Sequence, residues 1–299
     1  MRRLRQIWQV AAGDFLQWKG SVRIGIVFAL AFVLCFLLTE KSMDFAQSSG
    51  VYLQIAEPFV WAFGDGTNIL MMSCLLIVLF ADAPFLTAAT AYTLYRTNRL
   101  TWLLGTMLYM GLATLIFVLF VFAATCLLCV RLAFPDNQWS DAAKMLGYSG
   151  VGKTLALPAA VRTLEMSTPY AATGHIFILM LLYSLLLSAL MMAANLWKGA
   201  VAGIVAGAAF TLVGYFLSPQ VIIAMLEIPR ELYWQAYAAV VWISPVNHAT
   251  FSLHNFGYDQ FPRLWQSWLV FGLAIAAAAA ASLLAVRRYE FHFTGTDPA

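Results

Sequence analysis

The chain has 299 residues, 62% of them hydrophobic and 10% charged, and its mean hydropathy is +0.80. That balance excludes a single water-soluble domain with an ordinary charged surface. A formal net charge of only +3, with no polybasic or aromatic-interleaved surface segment, excludes nucleic-acid binding as well.

At the start of the chain, Leu4, Ile7, Trp8, Ala11, Phe15 and Trp18 recur at helical spacing, with Arg5, Gln9 and Gln17 elsewhere around the wheel. The pattern predicts an amphipathic helix over residues 1–20 lying in the membrane interface, where indole rings and basic side chains are both favourable. Arg2, Arg3 and Arg5 resemble a signal-peptide n-region, but Asp14, Lys19 and Arg23 interrupt the residues after it, and no short apolar run with a cleavage site appears. The first apolar run is therefore expected to remain in the mature protein.

Six apolar runs are present, at residues 22–39, 69–86, 100–130, 175–197, 200–217 and 265–286. A hydrocarbon core of roughly 30 Å takes about 20 helical residues. Lipid offers no partner to backbone groups, and the alternation of a barrel strand is absent, so each run is expected to be a helix. The expected fold is all-α: one integral membrane domain over residues 1–299 with six transmembrane helices. Arg2, Arg3, Arg5, Lys19, Arg23, Arg96, Arg99, Lys198, Arg287 and Arg288 all fall on one side of that topology. This predicts a multi-pass protein of the cell membrane with both termini cytoplasmic.

The connections carry their own signals. In the second, residues 87–95 predict a short cytoplasmic helix parallel to the membrane, and Asp82, at the end of the span before it, is expected to pair with Arg96 or Arg99. The third, residues 131–174, holds Pro135, Pro158 and Pro169 and predicts irregular structure with short helices. In the fifth, residues 221–226 and 232–243 are too apolar for a solvated loop and too short to cross, which predicts two re-entrant external helices bounded by Pro219, Pro229 and Pro245. Gly199, Gly203 and Gly207 predict close helix packing within the subunit. The polar residues inside the spans are Ser184, Ser188, Thr211 and Asn195, expected to bond back to their own helix. With no ionisable residue at the midplane, energy for any pumping must come from outside the chain.

Three short motifs mislead. Gly147 to Thr154 matches the phosphate-binding pattern G-x-x-x-x-G-K-[ST], but no strand precedes it, there is no room for an α/β domain, and it lies on the external side. Gly147-Tyr148-Ser149-Gly150 matches the G-x-S-G of rhomboid-type intramembrane proteases, yet no histidine lies in the last span to serve as base. Cys126 and Cys129 have redox spacing inside an apolar helix, where packing is the simpler role. No cluster of side chains offers a metal site, and no carboxylate pair offers acid–base work.

Taken in order, several elements resemble the membrane subunit of a type-2 ABC exporter. They are the interfacial helix with Asp14-Phe15-Leu16, the short cytoplasmic helix after the second span, Arg96 to Gly105 leading into the third, and the re-entrant pair ended by Ile243-Ser244-Pro245. The long third connection departs from the family, which usually has a short one there. The resemblance implies a permease and not an enzyme, working in efflux as a homodimer or with a paralogous permease. It implies cytoplasmic ABC ATPase subunits docked on the amino-terminal helix and on Thr87, Thr90, Tyr92, Tyr95, Arg96 and Arg99. ATP and Mg would be bound by those partners, with no cofactor on this chain and lipid around it. Phe80, Phe210 and Tyr215 are candidates for lining the translocation path. The competing readings are a six-span serine-protease-like enzyme acting through Ser149, and a channel or structural membrane protein not coupled to ATP.

Overall fold

A computed structural model describes residues 2–84, 88–155, 157–227 and 229–289. About 81% of the described residues are helical. Helix α1 (Arg2–Leu16) leads through a 3-10 turn at Gln17–Gly20 into α2 (Val22–Ser49), which ends where Gly50 takes a left-handed φ of 66° that favours glycine. Helix α3 (Glu57–Ala62) precedes α4 (Gly66–Leu79), whose first turn is capped by the Asp65 carboxylate accepting from the Thr67 N–H at 3.1 Å. After α5 (Ala88–Arg96) comes α6 (Arg99–Cys129). The short helices α7 (Asp141–Tyr148), α8 (Val151–Thr154) and α9 (Val161–Met166) separate it from α10 (Pro169–Lys198). Helices α11 (Ala200–Phe216) and α12 (Pro219–Leu226) meet at a bend of 91°. Then α13 (Tyr233–Ile243), α14 (Pro245–Ala249) and a 3-10 turn at Phe251–Leu253 lead into α15 (Leu264–Arg288).

Among the described residues, four helices are long and apolar enough to cross a membrane: α2, α6, α10 and α15. The bent pair α11–α12 makes five if it is one span, while α4, with 14 residues, is apolar but shorter. Their outward faces carry Phe32, Phe36, Leu119 and Leu273 in the open, an apolar surface that only lipid covers without cost. The chain is therefore an all-α, multi-pass membrane protein. The run expected at 69–86 is helical only as far as Leu79, and its last two residues lie outside the described residues.

Helix α10 is the hub, packed against α15, α11, α6 and α4. Buried Tyr183 marks its centre: the Ser73 hydroxyl donates to the Tyr183 oxygen at 3.1 Å, and the ring stands 5.7 Å from Phe210 and 6.3 Å from Phe271. Glycines set the closest approaches. A Cβ on Gly105 would collide with Val10 of α1, and one on Gly203 or Gly207 of α11 would press into Asn195 or Met191 of α10. Gly203 and Gly207 thus pack within the chain, as expected, whereas Gly199 sits at the α10–α11 turn with φ 89° and open space around it. Only a residue tolerant of positive φ turns the chain that tightly.

The first and third connections are not loose loops. Helix α2 runs on through Glu40, Lys41 and Asp44, and strand β1 (Leu53–Gln54) pairs in parallel with β2 (Ala133–Phe134). Glu57 closes this cap. Fully buried, its carboxylate accepts from the Ser140 N–H at 2.8 Å, the Ser140 hydroxyl at 2.7 Å and the Gln54 N–H at 3.1 Å. Trp61 and Trp139 stack beside it at 5.7 Å. A carboxyl so far from water is pushed up to about 6, against the pull of its three donors.

Candidate functional site

Arg3, Arg5, Arg96, Arg99, Arg287 and Arg288 collect where α1, α5, the start of α6 and the end of α15 meet. Ile7, Ala11, Phe15 and Trp18 turn inward, with Phe15 edge-on to Tyr109 of α6 at 4.8 Å and the Trp18 indole N–H donating to the Tyr109 hydroxyl at 2.7 Å. Leu4 and Trp8 remain exposed. The amphipathic stripe therefore divides, half gripping α6 and half facing outward.

Helix α5 lies beside α1, the Gln6 amide donating to the Arg96 carbonyl at 3.5 Å. Tyr92 and Tyr95 stand 77% and 93% exposed and Arg96 is also exposed, so these three form an open surface. Thr90, at 6%, faces inward, and Thr87 lies outside the described residues. Arg99 is engaged elsewhere. Its guanidinium donates to the carbonyls of Arg287 and Tyr289 at 3.2 Å and of Val286 at 3.5 Å, closing the C-terminus of α15, where helix carbonyls lack partners and the dipole is negative.

Behind this surface is a cavity of about 550 Å³ lined by residues of α1, α2, α6 and α10 together with Asp82, Ala83, Pro84 and Tyr289. Asp82 is ion-paired there with Arg23, not with Arg96 or Arg99 as the sequence suggested. The two meet because the end of α4 returns to the level at which α2 begins, 59 residues earlier. Asp14 lines the same cavity with a buried carboxylate oxygen that lacks a hydrogen-bond partner. Burial pushes its carboxyl up to about 7, the neighbouring Thr106 hydroxyl pulling the other way.

Asn195 also lines the cavity and does not bond back to its own helix as expected. Its amide donates to the carbonyls of Ala81 and Ala83, and its oxygen accepts the Gly203 N–H at 2.6 Å. One side chain thus joins α10, α11 and the turn after α4. Asn195→Leu is expected to lower thermal stability by about 1–2 kcal/mol, the range of interhelical hydrogen bonds in membranes, as read from unfolding in detergent. Ser188 and Thr211 do bond back, to Leu185 and Gly207, and the Ser184 hydroxyl has no hydrogen-bond partner among the described residues.

The three path candidates sit in different surroundings. Phe80 is fully buried in the core, Phe210 is partly buried against Tyr183, and the Tyr215 hydroxyl shares a hydrogen bond of 3.2 Å with Thr67. Phe210 lines a cavity with Val213, Trp242 and His248. The nucleotide-like string lies on α7, a glycine turn and α8, where Cβ atoms on Gly147 and Gly152 would run into Leu164 and Leu146. These glycines make room for the chain itself. Ser149 is exposed and donates to the Met145 carbonyl, with no histidine among its partners. All four cysteines are free.

At the opposite end, α15 begins inside a polar knot that sequence reasoning missed. Ser267 is fully buried with its hydroxyl 2.8 Å from His248 Nδ1 and 2.9 Å from His254 Nε2. The spacing of His248, His254 and Ser267 follows neither helical nor strand period, so no local pattern announces it. Compared with protein-family models and with curated proteins, the chain matches none.

Proposed function

We propose that this chain is the membrane-spanning permease subunit of an ATP-driven exporter of the type-2 ABC class. The observation that carries the reading is α5. A short helix between two membrane helices holds Tyr92, Tyr95 and Arg96 outward at the basic end, with α1 laid alongside on α6. Such a surface suits a cytoplasmic partner that pushes on the bundle, and α5 passes the push to α6 directly.

In this reading α4 and α11 are two shorter passes beside the four long spans, giving six passes with both ends of the described chain on the cytoplasmic side. Helix α12, turned 91° from α11, and α13 packed against it form the re-entrant pair at the external end in this reading. A second permease copy completes the path, and ATP and Mg stay with the partner ATPase. Arg99 acts as a clamp on α15, and the docking face is Tyr92, Tyr95 and Arg96.

Alanine at Tyr92 and Arg96 together should reduce stimulation of a co-purified ATPase at least tenfold, while the permease still inserts at wild-type levels. Unchanged stimulation would overturn the docking face. The sidedness has its own check: a cysteine at Asn98, labelled by an impermeant reagent in intact cells, would contradict the cytoplasmic placement.

A further inference from the structure

The carbonyl groups on the far sides of His248 and His254 decide what these rings and Ser267 hold between them. His248 Nε2 lies 2.9 Å from the Trp242 carbonyl, and His254 Nδ1 lies 3.1 Å from the carbonyls of both Thr250 and Phe251. A carbonyl oxygen only accepts, so each of these nitrogens carries a hydrogen. In neutral rings the two nitrogens that face Ser267 are then both acceptors, and the serine has a single hydrogen to give. All three residues are at most 2% exposed, and among the described residues no other side chain donates to the two nitrogens.

We propose that His248, Ser267 and His254 form a binding site for one hydrogen ion, held as N–H···Oγ–H···N between the two rings. One N–H bond forms at the nitrogen that lacks a donor, the proton comes from solution, and nothing is oxidised or reduced. Every contact is then complementary: one imidazolium donates to the serine oxygen, and the serine hydroxyl donates to the other ring. When the hydroxyl hydrogen passes to the other ring and the imidazolium proton passes to the serine oxygen in its place, the charge moves from one histidine to the other and the serine stays neutral, so the site is also a relay.

The surroundings set the pH at which it fills. Burial holds His254 down to about 4 and lowers His248 as well, and the charges of His248 and His175 oppose a proton on His254. The added donor works the other way. Helix α10 contributes His175, whose ring stacks on Phe251 at 5.8 Å, and Tyr183, bonded to Ser73. Helix α9 contributes Arg162, ion-paired with Asp259; α11 contributes Tyr215, bonded to Thr67; and Asp65 is turned to the cap of α4. Among the described residues no carboxylate is hydrogen-bonded to either ring, so the bound proton is a net charge. It ties the end of α13, α14 and the 3-10 turn to α15.

The test uses the full chain in lipid nanodiscs, with the histidines labelled by nitrogen-15 and followed by NMR from pH 7.5 to 4. His248 and His254 are expected to shift together in one step that takes up one proton, with a midpoint below the ordinary histidine value of about 6.5. Ser267→Ala should lower that midpoint by at least about one pH unit, a tenfold loss of proton affinity. Two independent steps near pH 6.5, no step at all, or an unchanged midpoint in Ser267→Ala would each overturn the site. If Ser267→Ala does not fold, His254→Gln serves. Its amide supplies a neutral donor, so uptake at His248 should weaken at least tenfold, and an unchanged midpoint again overturns the proposal.

Discussion

Glu57→Ala is expected to open the cap built on the strand pair and to lower the stability of the folded chain by about 3 kcal/mol. The substitution leaves the Gln54 and Ser140 N–H groups buried without an acceptor and removes the bond from the Ser140 hydroxyl. Each orphaned buried donor costs on the order of 1–3 kcal/mol, and relief of the carboxylate's own desolvation offsets part of the sum. Glu57→Gln keeps one acceptor oxygen and should cost roughly a third as much. Two measurements bear on this. The midpoint of thermal unfolding in detergent should fall by roughly 5–10 °C, and protease should cut between residues 133 and 168 in Glu57→Ala while sparing that stretch in the wild type. Full protection in the variant would mean that the strand pair and the Trp61–Trp139 stack hold the cap by themselves.

The second large effect is a pH dependence at the basic end. Asp14 has a carboxyl raised from the ordinary 3.8 to about 7 by burial, so the folded chain holds its proton where the unfolded chain has lost it. Stability from this group is complete below about pH 4 and declines as pH rises towards 7, by about 4 kcal/mol over the window at 1.36 kcal/mol per unit. Asp14→Asn carries no proton to lose. Its unfolding temperature should therefore be flatter than that of the wild type between pH 4.5 and 8, with the variant the more stable at pH 8. Glu57 titrates in the same direction in both proteins and cancels in the difference. Parallel profiles for the two would show that Asp14 is ionised at no cost, with Arg23 or another cation of the cavity neutralising it.

The legible part of the sequence is the part that repeats locally. The apolar runs at 100–130, 175–197 and 265–286 became α6, α10 and α15 with small changes at their ends, because about twenty apolar residues in a row have few other uses. The stripe of Ile7, Ala11, Phe15 and Trp18 and the short helix at Ala88–Arg96 were legible for the same reason. The misses are contacts between segments far apart in the chain. Glu57 reaches Ser140 across 83 residues and Arg99 reaches Tyr289 across 190, and neither has a spacing that a helix or strand period could reveal. A basic residue near Asp82 was rightly sought, but proximity in sequence favoured Arg96 and Arg99 over Arg23, the partner that the folded bundle supplies. Asn195 misled through its position. An amide inside an apolar run reads as self-satisfied, whereas the Gly203 backbone comes close enough to take it.

Because Arg99 begins α6 and also closes α15, the entry to one membrane helix and the exit from another are a single junction. The guanidinium holds three carbonyls of α15 and of Tyr289 just beyond it, so neither helix end is free to shift without the other. A tilt of α6 at this end is therefore carried to α15 through one side chain, with no intervening loop to absorb it.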